Sequence, residues 1–209
     1  MKKVFFLLVL ASLFIPSCVP ATQTPRTEII TVFATPAAQP WLTELYVCAA
    51  ESSVVLNITA EDPDIYLRVG EPENIISPIF QIDQEEILIV TNRESPIKNL
   101  TLAEAQDLFA QGNASARVWV YSSDTDVQDV FDQLVMKGRR ITSLADVAIS
   151  PQHMSDLLNA EKASVGILPR HWLAGSVRDV FSVGAAPVLA VTLEEPRGAL
   201  QNLISCLQK

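Results

Sequence analysis

The chain has 209 residues, with 15 Lys and Arg against 24 Asp and Glu, two His, and a formal net charge of −9 at pH 7. That balance argues against nucleic acid as a partner and against a polybasic membrane-binding surface, since both depend on clustered positive charge.

The N-terminus reads "MKKVFFLLVLASLFIPSC": Lys2 and Lys3, an apolar run from Val4 to Ile15, and a small residue before Cys18. This is the layout of a bacterial secretion signal, and the apolar run is too short for a membrane-spanning helix. Ile15-Pro16-Ser17-Cys18 is similar to a lipoprotein cleavage box, which makes residues 1–17 a signal peptide and Cys18 the lipidated first residue, with Pro16 a departure from the usual small residue. The alternative is cleavage after Ala21, which discards Cys18. Residues 18–28 are rich in Pro and Thr and lack periodicity, as expected of a flexible tether. The expected location is extracytoplasmic, at the bacterial cell membrane. Losing Lys2 and Lys3 makes the exported part more acidic still.

From Ile29 onward, short β-branched runs alternate with amphipathic segments. Strands are expected at 29–34, 53–60, 64–69, 86–92, 116–121, 164–168, 177–183 and 187–193, and helices at 36–51, 102–111, 126–137, 152–161 and 196–208. Such alternation predicts an α/β fold with mainly parallel sheets, as one domain or two small lobes.

Two strand-to-helix turns stand out. In "FATPAAQPW", Thr35 is placed to cap a helix that opens with Pro36, and the amides around Ala37 and Ala38 face outward at the carboxyl end of a strand, where open α/β sheets tend to bind ligands. In "VWVYSSDTDVQDVFDQLV", Val127, Val130, Phe131, Leu134 and Val135 mark one helical face, and Thr125 with Gln128 fits a capping box opening a helix at Asp126. Such a turn suits an anion, yet Asp124 and Asp126 already place negative charge there. Its hydroxyls and acids either hold a ligand or only cap the helix.

The chain lacks GxSxG, HExxH, GxGxxG and P-loop motifs. His153 and His171 stand alone, and neither Cys48 nor Cys206 has a basic partner nearby in sequence, so no catalytic residues, metal ligands or cofactor are assigned. The two cysteines form either a disulfide joining the first helix to the last, as an oxidising compartment permits, or two buried thiols. Arg139 and Arg140 read as a solvated loop after a helix, and Trp172 is the tryptophan best placed to face a ligand.

The order of segments resembles the type 2 periplasmic binding fold, in its phosphate-binding-like branch of solute-binding proteins of ABC transporters. Four pieces carry the resemblance: "VFATPAAQPWLTEL", "DIYLRVGEP", "LTLAEAQDLFAQG" and "VYSSDTDVQDVFDQL", followed by "SVGILP" and "PVLAVTLEEPRGALQNLISCL". It implies two α/β lobes joined by hinge strands, with lobe 1 at 29–90, lobe 2 at 91–184, and a return to lobe 1 with a C-terminal helix at 185–209. It also implies ligand contacts from Thr35 and Ala37, from Arg68, and from Ser122, Ser123, Asp124 and Thr125.

The function so implied is that of a lipid-anchored solute-binding protein, a monomer and not an enzyme, handing a small polar or anionic ligand to an ABC permease. The other reading is a binding-fold protein without transport, acting as a surface sensory or scaffolding module. The family's small residues and glycine are replaced here by Ala-Thr-Pro and Ser-Asp-Thr-Asp, which weakens a phosphate-like oxyanion as the ligand and leaves a zwitterion, a ligand bearing a positive group, or no ligand at all as credible readings.

Overall fold

The computed structural model describes residues 27–72, 76–112 and 116–209. The expected leader, Cys18 and most of the tether lie outside them. Strand β1 (Glu28–Ala34) turns Ile30, Val32 and Ala34 inward on alternate positions. A turn through Pro36 and a 3₁₀ turn at Gln39–Trp41 lead into α1 (Leu42–Glu51), so the expected helix at 36–51 is regular only in its second part. Strands β2 (Val54–Ile58) and β3 (Ile65–Val69) lie parallel to β1 on either side of it.

Next come β4 (Ile79–Asn92), α2 (Leu102–Gln111), β5 (Arg117–Tyr121) and α3 (Asp126–Phe131). After them follow β6 (Asp146–Ala148), α4 (Pro151–Ala160), β7 (Ser164–Pro169), β8 (Val177–Thr192) and α5 (Gly198–Leu207). The strand order is β2-β1-β3-β8-β4-β7-β5-β6. At one end β1, β2 and β3 are parallel, and at the other β5 is parallel to β6 and β7. Between these ends β4 and β8 form a long antiparallel ribbon, with β3 and β7 antiparallel to its outer sides. Two α/β lobes are thereby joined by a pair of hinge strands.

The first lobe packs α1 and α5 together, and a disulfide between Cys48 and Cys206 links these helices with a Cα–Cα distance of 5.8 Å. Leu45 and Leu203 are fully buried there. In the second lobe, Phe109 of α2 meets Phe131 of α3 with ring centroids 4.7 Å apart, and α4 packs Met154 and Leu158 under β7.

Several local expectations are corrected. The strands expected at 177–183 and 187–193 are one strand, β8, which ends at Thr192. Gly184 holds φ at +138° and stays paired with Ile87, so the chain passes the Gly-Ala-Ala-Pro segment without leaving the sheet. Strand β4 starts seven residues before the expected Glu86, and the short edge strand β6 carried no expectation at all. The helix expected at 126–137 is α-helical only to Phe131. A single π-turn then runs from Asp132 to Met136, and the Lys137 amide closes it on the Asp132 carbonyl at 2.7 Å. The wider turn shifts the inward face by one residue. Leu134 is 40% exposed, while Val135 and Met136 are buried.

The capping box expected of Thr125 and Gln128 is also absent. The Thr125 hydroxyl donates to the Ser122 carbonyl at 2.9 Å, and Gln128 accepts from the Tyr121 amide at 3.0 Å. A reciprocal box forms instead at α2, where Thr101 and Glu104 satisfy each other's backbone amides.

Candidate functional site

The carboxyl ends of β1, β3 and β5 converge where the lobes meet. A cavity of about 230 Å³ lies there, lined by Phe33, Thr35, Pro36, Tyr66, Arg68, Asp124, Thr125, Asp126 and Asp129. Four of the residues expected to contact a ligand, Thr35, Arg68, Asp124 and Thr125, share this cavity although 90 positions separate the first from the last. The other three do not. Ala37 is fully buried and lies toward a second, smaller depression beside Tyr121 and Val127, while Ser122 and Ser123 are exposed on the loop and outside the cavity lining.

Register explains the first-lobe wall. Phe33 and Tyr66 are cross-strand partners on β1 and β3, and their rings stack at 5.4 Å between centroids. Arg68, two residues beyond Tyr66, falls on the same face. One of its terminal nitrogens lies 3.7 Å from the Asp129 carboxylate, which comes from α3 in the other lobe. The Arg68 Nε is buried and has no hydrogen-bond partner among the described residues. Burial beside these groups raises the Tyr66 phenol above its ordinary range, with Arg68 opposing the rise and Asp126 adding to it.

The two aspartates of the β5–α3 turn have different roles. Asp124 is exposed, and its carboxyl is lowered by a hydrogen bond from the Ser122 hydroxyl and by its own backbone amide. Asp126 is 6% exposed and crosses to the first lobe. Its Oδ2 accepts from the Thr35 hydroxyl at 2.6 Å and from the Val69 amide at 2.9 Å, and its Oδ1 accepts from the Val127 amide at 2.9 Å. The Thr35 hydroxyl is oriented as a donor because its oxygen also accepts from the Ala38 amide at 3.3 Å. Thr35 therefore closes a turn after β1, in place of the expected cap on a helix opening at Pro36, and also reaches the other lobe.

Sequence reading did not assign Asp126, Asp129, Phe33 or Tyr66 to the site. Tyr66 and Phe33 carry the alternation of their strands. Asp129 lies one helical turn beyond Asp126, a spacing that puts both on neighbouring faces. For the contact between Asp126 and Thr35 there is no local signal, because it spans 91 positions.

A second set of contacts ties the lobes through the turn that follows β7. The 3₁₀ turn Arg170–Trp172 follows β7, and its His171 ring meets Trp41 edge-on with centroids 4.7 Å apart. His171 Nδ1 lies 2.5 Å from Glu85, a buried carboxylate in β4, and Trp41 donates to Asp83 at 2.8 Å. Trp172 does not face the cavity: its indole N–H points at the Ala37 carbonyl, 3.5 Å away. His153 accepts from the Ile149 amide at 3.3 Å, near the start of its own helix. Among the described residues no group of three or more His, Cys, Asp or Glu is placed to hold a metal ion, and no helix is long and apolar enough to cross a membrane.

No protein-family model and no curated protein matches this sequence. Solved structures do match. A putative phosphate ABC transporter substrate-binding protein from Clostridium perfringens, with bound phosphate, superposes with a TM-score of 0.78 at 14% identity, covering 86% of this chain and 93% of that one. An ABC-type phosphate transport receptor from Vibrio cholerae gives 0.67 at 14% identity, covering 86% and 93%. The regulatory domain of CcmR from Synechocystis, in complex with 2-PG, gives 0.66 at 11% identity, covering 87% and 96%. At these identities the likeness concerns the fold, and it extends over nearly the full length of each chain. The parallel lobes, the hinge ribbon of β4 and β8 and these superpositions together identify the chain's fold as the two-lobed type 2 periplasmic binding fold.

Proposed function

We propose that this chain is an exported, lipid-anchored solute-binding protein. It takes a small polar ligand between its lobes and presents it to an ABC permease, acting by binding rather than by catalysis. The observation that carries this reading is the interlobe cavity of about 230 Å³, walled by Arg68 and stacked aromatics from one lobe and by Asp124, Thr125 and Asp129 from the other. It is somewhat below the roughly 300 Å³ at which drug-sized pockets begin, which suits a ligand the size of a small amino acid. A zwitterion fits its charges best: a carboxylate against Arg68, and an ammonium against Asp124 or Asp129. A phosphate dianion would meet three carboxylates with one arginine to offset them. Because such a ligand touches both lobes only when they are closed, its binding favours closure.

A thermal-shift panel of amino acids, phosphate, sulfate and small sugars tests this. A zwitterion at 100 times its dissociation constant should add about 2.7 kcal/mol, a rise of several degrees for a chain of this size. Arg68→Ala should abolish that rise. No response across the panel, or a response unchanged in Arg68→Ala, defeats the proposal.

The second reading is a surface module that has given up transport. It is favoured by Asp126, which already satisfies the Thr35 and Val69 donors at the lobe junction. Under this reading the whole panel leaves the protein unmoved.

A further inference from the structure

Thr35 lies just past β1 and Val69 ends β3, both in the first lobe, yet one oxygen accepts from both, and that oxygen belongs to the second lobe. Two convergent N–H and O–H donors at the carboxyl ends of neighbouring strands form a receptor for an oxyanion, and the Asp126 carboxylate fills it. The hydroxyl cannot readily turn away, because the Ala38 amide already occupies its acceptor side. Asp126 is buried, so in the wild type its carboxylate, and not bulk water, satisfies both donors.

We propose that Thr35 and Val69 form an anion-binding site whose built-in ligand is Asp126, and that a free small carboxylate enters this site once the aspartate side chain is removed. The inference does not rest on a transported solute, since it concerns donors that the wild-type chain keeps occupied.

The surroundings predict which anion the emptied site prefers. Asp126 also lines the interlobe cavity, so truncating it to alanine opens the donors to that space. Arg68 supplies positive charge at the cavity wall, while Asp124 and Asp129 remain and repel a second negative charge. Monoanions of carboxylate shape, formate and acetate, should therefore be taken in preference to sulfate or phosphate dianions. The Val127 amide, freed from Asp126 Oδ1, offers a third donor to the same anion.

The experiment compares thermal unfolding of the wild-type protein, Asp126→Ala and the double variant Thr35→Val with Asp126→Ala, each in sodium formate, acetate, sulfate and chloride at matched ionic strength. The expected result is a midpoint for Asp126→Ala several degrees below wild type in chloride, recovered in large part by formate or acetate and less by sulfate. The wild type should show no preference for formate over chloride, and the double variant should lose the recovery. If Asp126→Ala does not fold in chloride, the readout becomes refolding yield, which formate must restore and chloride must not.

A folded Asp126→Ala that treats formate and chloride alike, an unfolded one that formate does not restore, or a double variant that recovers fully would each overturn the proposal. So would a wild type that gains as much from formate as the variant. The solute-binding proposal fails separately, on the wild-type panel with Arg68→Ala.

Discussion

Replacing Gly70 by alanine tests whether the lobes meet in solution as they do in the structure. Gly70 follows β3 with φ at +79°, and its amide donates to the Pro187 carbonyl at 2.7 Å. A Cβ at this position would lie 2.4 Å from Cγ2 of Val130, a buried residue of α3 in the opposite lobe. Two costs follow from different parts of the structure. The left-handed backbone costs about 1 to 2 kcal/mol for any residue with a Cβ, whether or not the lobes touch. The collision adds roughly 1 to 3 kcal/mol, the usual range for overpacking, and arises only if α3 sits against β3.

A double-mutant cycle separates them. Val130→Ala alone should cost about 2 kcal/mol for the lost methyls and the space left behind. Combined with Gly70→Ala, it should remove the collision, so that the pair is less damaging than the sum of the singles by about 1 to 3 kcal/mol. Urea unfolding reads this as midpoints at unchanged slope. Additivity within about 0.5 kcal/mol would refute the reasoning, because Gly70 and Val130 would then not be neighbours.

Two further predictions concern the scaffold. Replacing Cys48 and Cys206 by alanine removes a link between residues 158 positions apart and should cost about 3 to 5 kcal/mol, with reducing agent lowering the wild-type midpoint toward the variant's; equal midpoints would refute a stabilising role. Tyr121 is buried and donates to the Ile167 carbonyl at 2.8 Å, and burial raises its phenol well above the ordinary value of 10.0. The native state therefore keeps a proton that the unfolded chain releases, so this contribution is complete below pH 10.0 and is lost as the pH climbs toward the folded value. Tyr121→Phe should be about 1 kcal/mol less stable near neutral pH and should lose less stability than wild type above that point; parallel profiles would count against it.

The fold was legible where a period ran without interruption. Alternating Ile30, Val32 and Ala34, or Ile65, Leu67 and Val69, can serve only a strand with one buried face, and such runs appear where expected. What failed were the places where a neighbour decides. Gly184 and Pro187 read as a break, but β4 pairs with every residue from one to the other and holds that segment in the sheet. Three-residue β6 has too little sequence to show a period, and exists because β5 offers it an edge. The π-turn after Phe131 owes its closure to Lys137 in the left-handed region, which the apolar spacing does not encode.

The site divides along the same line, and Asp124 and Asp126 mark the boundary. Two acids two positions apart in one polar turn look equivalent in sequence, and charge alone counts both against an anion. Their surroundings make them opposites: Asp124 stays in solvent and bonds within its own loop, while Asp126 is buried and receives donors from residues more than 50 positions away. A buried carboxylate is tolerable only if hydrogen bonds replace its lost hydration, and the Thr35 hydroxyl with the Val69 and Val127 amides supplies three. The negative charge that weakened the case for an anion ligand is thus itself bound as one. A solute entering the wild-type cleft must either find its partners at Arg68 and the remaining acids or displace Asp126, and displacement would leave that carboxylate to find new donors or water. Any solute that binds the wild type tightly should therefore do so through Arg68.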